Sequence, residues 1–310
     1  MLLSTDLPIY IGGLMRSRVP KDREWFKRYG VSDAEMDDMV QAVVEALDAE
    51  ILTRKELSEL VVDRVGAKAK RWVEHSWGGI VKHACLQGLV VFGPNRGREI
   101  TFVTRKKWLP RTKDLPAEKA EAILLRRYLH GYGPASLADF AVWAGMTLGE
   151  AKPIRELVGD DAVEVKVEDK ACLALREDLK VLQNEVDVEG GSARLLPSFD
   201  CYMLGHKEKS HIVDQNCYKL VYCKAGWLSP VVLVNGRAEG TWSCKKKGNR
   251  IHIAIQPFDR IPQSAIKQVE EEAADMARFS EATCELSFSK ARRCVQQNAD
   301  NKFQSRASWS

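Results

Sequence analysis

Nothing in the 310 residues approaches the uninterrupted apolar run of roughly 18–20 residues that spans a bilayer. The start, Met1-Leu2-Leu3-Ser4-Thr5-Asp6, lacks a basic segment, and Asp6 breaks its apolar residues, so no signal peptide is expected. Eight cysteines occur, at 85, 172, 201, 217, 223, 244, 284 and 294, but no CxxC pair. Scattered thiols of this kind predict reduced cysteines in a cytoplasmic protein rather than a disulfide frame. Cys201, His206, His211, Cys217 and Cys223 lie close in sequence, yet their spacings fit no common zinc module. No metal and no cofactor are expected.

What the chain does have is charge sorted by position. Residues 31–63 carry ten acids against Arg54 and Lys55, a net of 2 − 10 = −8. Residues 64–113 carry twelve bases against Glu74 and Glu99, a net of 12 − 2 = +10. The overall +4 hides both. A cationic shelf of that strength suits a phosphate backbone, and the expectation falls if the bases are hidden against the acidic helices.

The elements within this region have a recognisable order. Ser32 to Ala49 has helical apolar spacing. Thr53 with Glu56 is a capping box that opens a helix over 54–65, and Gly66 ends it. A third helix is expected over 71–87, with Trp77, Ile80, Val81 and Ala84 inward and Lys82, His83 and Gln87 outward. Two β-rich runs, 89–92 and 100–104, flank a Gly/Pro turn and read as a hairpin. Three helices and a hairpin are the order of a winged helix-turn-helix, whose third helix fits the major groove.

The order recurs. Helices are expected over 117–129, over 137–144 after the Ser136/Asp139 capping signal, and over 148–158 after Thr147/Glu150. A hairpin over 162–175 follows. From Arg155 to Glu189 there are eleven acids and five bases, a net of 5 − 11 = −6, so this second unit reads as a packing module rather than a phosphate binder. From Ser192 the chain turns to strands, including 218–222, 231–234 and 237–242, with Asn235-Gly236 as a two-residue hairpin turn. Lys245, Lys246 and Lys247 lead into Gly248-Asn249, and Ile251, Ile253 and Ile255 alternate beyond it. A helix over 263–279 closes the region, with Ile266, Val269, Ala273, Met276 and Ala277 inward.

Two blocks resemble a known family. Leu195-Leu196-Pro197-Ser198-Phe199-Asp200-Cys201-Tyr202-Met203-Leu204-Gly205 and Val232-Leu233-Val234-Asn235-Gly236-Arg237-Ala238-Glu239-Gly240-Thr241-Trp242 resemble the signature of AlkZ-type winged-helix DNA glycosylases. Gly131-Tyr132-Gly133-Pro134-Ala135-Ser136, with Asp139, Phe140 and Trp143, is similar to the middle of the same family. The resemblance implies tandem winged helices around a basic cleft for duplex DNA, and excision of alkylated bases with crosslink unhooking in some members. It also implies a catalytic pair, Gln-apolar-Gln or Gln-apolar-Asp, in the N-terminal part. No such triplet occurs there: Gln41 is followed by Ala42 and Val43. The chain is expected to begin where the family's first helical unit has ended.

These readings predict an α+β protein: tandem winged helix-turn-helix units followed by a C-terminal antiparallel β-rich domain with a closing helix. The expected divisions are a first winged-helix unit with an N-terminal helix over 1–114, a second winged-helix unit over 115–190, the β-rich domain over 191–285 and a disordered tail over 286–310. Expected DNA contacts are Lys70, Arg71, Lys82, His83, Arg96, Arg98, Arg105, Lys106, Lys107, Lys245, Lys246 and Lys247. Tyr202 and Trp242 are the candidates for base contact, with core packing as the competing reading. Asp200 is the candidate water-activating carboxylate, against a turn-capping aspartate or a partner of Arg237. The partner expected is double-stranded DNA, bound by a monomer and with no membrane involved. Two alternatives stand beside a non-catalytic binder: an active glycosylase using Asp200 or another residue, and a protein–protein module docking through the acidic helices.

Overall fold

A computed structural model describes residues 3–75, 79–110, 113–184 and 191–292. The chain divides into two compact units, Met1–Val181 and Leu182–Ser310.

The first unit opens with α1 (Leu7–Arg28), a 22-residue helix to which the sequence reading had given no bounds. Its glycines Gly12 and Gly13 are contact points. α1 lies against α7 (Ala117–Tyr132), and a Cβ on Gly12 would meet Ala120 Cβ at 2.7 Å. One on Gly13 would meet Leu124 Cδ2 at 2.9 Å.

α2 (Asp33–Ala49) and α3 (Arg54–Val65) each start at a complete capping box, Ser32/Glu35 and Thr53/Glu56. The expected third helix is broken. α4 (Lys70–Val73) and α5 (Gly79–Leu86) are separate, Gly79 has φ +72, and Trp77 lies outside the described residues. β1 (Leu52–Thr53), β2 (Val90–Phe92) and β3 (Thr101–Thr104) form a small sheet in the order β1-β3-β2, and α6 (Arg105–Trp108) follows. The hairpin reverses later than expected, at Gly97-Arg98, between Arg96 and Glu99. Phe26, Met36, Leu47, Leu57, Trp72, Ile80 and Phe102 belong to one core. Each such side chain, fully buried, contributes about 1.5–3 kcal/mol.

The pattern then repeats on a second core that includes Leu124, Tyr128, Phe140, Ile154 and Leu175. After α7 come α8 (Leu137–Ala144) and α9 (Leu148–Val158), both opened by the capping boxes seen in the sequence. β4 (Ala162–Val167) and β5 (Lys170–Leu175) pair antiparallel, and α10 (Leu179–Gln183) ends the stretch.

The second unit is a five-stranded sheet in the order β10-β9-β8-β7-β6. Its strands are β6 (Ala193–Leu196), β7 (Val231–Val234), β8 (Arg237–Lys247), β9 (Arg250–Pro257) and β10 (Thr283–Phe288). The Asn235-Gly236 turn has φ +49 and +78, the left-handed pair that such a turn demands. α11 (Cys201–Leu204) and α12 (Tyr218–Val221) are single turns, so 218–222 is not the strand expected. α13 (Gln263–Phe279) covers one face of the sheet, where Val232, Ile251, Ile253 and Ile255 meet Val269 and Ala273. Met203, Ile212, Val221, Val231 and Phe258 form a separate core cluster.

The antiparallel expectation needs one correction. β10 runs parallel to β9, with Cys284 opposite Ile251 and Phe288 opposite Ile255. α13 is the crossover that a parallel pair requires. The tail expected over 286–310 therefore starts with the end of a strand, and residues 293–310 lie outside the described residues. Six of the cysteines among the described residues are free thiols. Among the described residues no helix is long and apolar enough to cross a membrane, and no group of three metal-ligating side chains assembles.

Candidate nucleic-acid interface

The predicted contacts fall in both units. In the first, the acidic and basic runs fold against each other. Arg96 at the hairpin tip donates to Glu56 Oε1 at 2.7 Å and to the Ile51 carbonyl at 2.6 Å. Lys106 meets Asp48 Oδ2 at 3.2 Å, and Arg64 pairs with Glu45. Lys107 donates to the carbonyls of Asp48 and Ala49 at the end of α2, where the helix dipole favours a cation. Arg105 pairs with Asp114 at 2.7 Å. The Asp48 carboxyl sits below its ordinary range because the Thr104 hydroxyl, and then Lys106, bond to it. Residues 31–113 together carry −8 + 10 = +2. The shelf is thus much weaker than its sequence suggested.

His83 is corrected outright. It is 0% exposed, against the outward position expected. Its Nδ1 lies 2.7 Å from Asp22 Oδ2, and Gln87 Nε2 is 3.1 Å from its Nε2. Lys82 beside it is exposed but donates to Asp22 Oδ1 at 2.8 Å. The signal missed was the extent of α1, which supplies Asp22. Burial raises the Asp22 pKa, but the bonds from His83 and Lys82 outweigh it and hold the carboxyl below its ordinary value. Lys70, Arg71 and Arg98 remain exposed, Arg71 with its guanidinium 4.5 Å from the centre of the Trp72 ring and Arg98 at the apex of the turn.

In the second unit β8 runs past the end of β7, whose last partner on it is Thr241. Beyond that point β8 and β9 form a ribbon flanked on the β9 side by β10, with Lys245 opposite His252 and Lys247 opposite Arg250. Alternate residues on a strand face opposite sides. Lys246, opposite the buried Ile251, lies on the α13 side and donates to the Ser280 carbonyl at 2.9 Å. Lys245, Lys247 and Arg250 lie on the other side, all exposed. Arg250 was absent from the predicted contacts, although its place across the turn from Lys247 was readable from the Gly248-Asn249 turn.

The motif residues are mostly tied to backbone. Asp200 is the N-cap of α11 and accepts from the Tyr202 amide at 2.9 Å. Arg237 does not pair with it and donates to the Ser210 and His211 carbonyls. The Tyr202 hydroxyl donates to the Gly236 carbonyl at 2.9 Å, and burial pushes its pKa up. Trp242 is half-buried, and its Nε1 donates to the Leu196 carbonyl at 2.8 Å. Burial also pushes the Glu239 carboxyl up against the pull of Arg237, and Asp259 and Asp214 add to the rise. Sequence reading passed over Phe199 and Trp227, whose rings meet edge to face at 5.2 Å on the surface.

Chain comparison places this arrangement of helices and mixed sheet in a known class. The fold matches the solved structure of the DNA glycosylase AlkZ from Streptomyces sahachiroi with a TM-score of 0.74 and 28% identity, over 92% of this chain and 78% of that one. The family model for "DNA glycosylase AlkZ-like" matches residues 10–279, and the chain belongs to that family. A relative described as "Interstrand DNA cross-link repair glycosylase", from the same organism, is 31% identical over 263 residues, 83% of this chain and 69% of that protein.

Proposed function

We propose that this chain is a DNA-repair protein of the glycosylase type that grips duplex DNA through the β8–β9 ribbon. The observation that carries the reading is the one-sided cluster of Lys245, Lys247 and Arg250, exposed on one face of the β8–β9 ribbon where it runs beyond the end of β7. Three cations on one face of an extended hairpin suit consecutive phosphates, and phosphate contacts position a protein on DNA whatever chemistry follows. The two helix-and-hairpin repeats of the first unit support a tandem winged-helix reading, with Lys70, Arg71 and Arg98 as secondary phosphate contacts. The relative's activity favours repair of alkylated or crosslinked DNA as the setting.

Fluorescence anisotropy with a labelled duplex tests this. The three ribbon cations contribute about −3 to the slope of log affinity against log salt, and any secondary contacts steepen it further. Lys245→Glu and Lys247→Glu each reduce the slope by about 1 and weaken binding to all sequences alike. A salt-independent affinity, or one untouched by both substitutions, removes the proposal.

A further inference from the structure

Two exposed aromatic rings in the second unit are placed where an unpaired base could be read. Phe199 is 42% exposed and Trp227 is 53% exposed, and their rings meet at an interplanar angle of 85°. Edge-to-face contact leaves an open ring face beside it. The backbone beneath is strained. Phe199 has φ +59, a conformation that a bulky residue adopts rarely and at a cost of about 1–3 kcal/mol. Trp227 follows Ala225 and Gly226, at φ +56 and +74. Neither ring belongs to a core cluster; Leu228, beside Trp227, is the residue that enters the core, at 2% exposure.

Both segments are pinned to one residue of β8. Trp242 donates from Nε1 to the Leu196 carbonyl, three residues before Phe199, at 2.8 Å. Its backbone N–H donates to the Pro230 carbonyl, three residues after Trp227, at 3.2 Å. Lys245 lies three residues further along the same strand, about 10 Å at strand rise. Lys224, exposed, stands in the turn before Trp227. Cations along a backbone path with aromatic faces close by are the combination that holds unstacked bases.

We infer that Phe199 and Trp227 form a stacking platform for a single unpaired base of DNA whose phosphates are held by the β8–β9 ribbon. The inference rests on the duplex-binding reading above. The ring faces supply stacking, which is tolerant of base identity, and the ribbon supplies the charge.

The test uses the full chain and two probes, a matched duplex and the same duplex with one bulged 2-aminopurine. The wild type is expected to bind the bulged probe about tenfold more tightly and to quench its fluorescence. Phe199→Gly, which suits the left-handed backbone and removes the ring, and Trp227→Ala should each abolish the preference while leaving matched-duplex affinity unchanged. Trp227→Tyr should keep it. Equal wild-type affinity for both probes, with normal salt-dependent duplex binding, overturns the platform and spares the duplex reading. No binding to either probe removes both. Self-association of the wild type that Trp227→Ala abolishes assigns the patch to a second copy and overturns the inference.

Discussion

Asp22 and His83 meet beneath the surface of the first unit, with 2.7 Å between Oδ2 and Nδ1. The network assigns the tautomer: Nδ1 donates to the carboxylate and Nε2 accepts from the Gln87 amide. Asp22→Asn exchanges a charge-assisted hydrogen bond to the buried His83 for a neutral one, so it should lower the unfolding free energy by about 1–2 kcal/mol. Lys82→Ala should cost under about 1 kcal/mol, since Lys82 is half in water. Urea unfolding measures both. The Asp22 carboxyl titrates below its ordinary 3.8 in the folded state. Its contribution is therefore present above that value and is lost as pH falls through the folded value. Asp22→Asn should flatten the wild type's acid destabilisation below about pH 4.

Arg96 and Arg98 stand two residues apart and should behave differently. Arg96 is engaged by Glu56 and the Ile51 carbonyl, so a phosphate has to compete for it. Arg98 is exposed at the turn apex. Arg98→Ala should reduce duplex affinity about threefold, whereas Arg96→Ala should change it less and cost up to about 1 kcal/mol of stability. Anisotropy and thermal unfolding on both variants decide. A larger affinity loss for Arg96→Ala would show that its pairing opens on DNA.

How much of this was legible follows from which interactions are local. The capping boxes at Thr53, Ser136 and Thr147, the Asn235-Gly236 turn and the span of α13 depend on residues within a few positions of each other, and the sequence carried them. The extent of α1 was not legible because its glycines answer to α7, over a hundred residues away. His83 was misplaced for the same reason, since its partner sits 61 positions earlier. Charge runs could be counted but not paired: Lys106 and Asp48 are 58 residues apart. The ribbon was read correctly as basic, but only strand register shows which lysines share a side.

Asp200 tests whether the motif carboxylate has a chemical role. As the N-cap of α11 it accepts from the Tyr202 amide, a task that asparagine performs about equally well. Asp200→Asn should leave stability and any release of alkylated bases unchanged, while Asp200→Ala should cost about 1 kcal/mol. A mass-spectrometric base-release assay on alkylated duplex checks the first claim. Release by the wild type that vanishes in Asp200→Asn, with binding intact, would give the carboxylate a catalytic part instead.

Adjacent lysines on β8 should separate stability from binding. Lys246 reaches the Ser280 carbonyl at the end of α13, where a cation complements the helix dipole. Lys245 and Lys247 point to the opposite side with Arg250. Lys246→Ala should therefore lower stability by about 0.3–1 kcal/mol and leave the salt slope of duplex binding intact. Lys245→Ala and Lys247→Ala should do the reverse, each removing about one unit from the slope with thermal unfolding unmoved. If all three lysines reduced affinity equally, the ribbon would be acting through net charge alone, and its one-sided face would have no part in holding DNA.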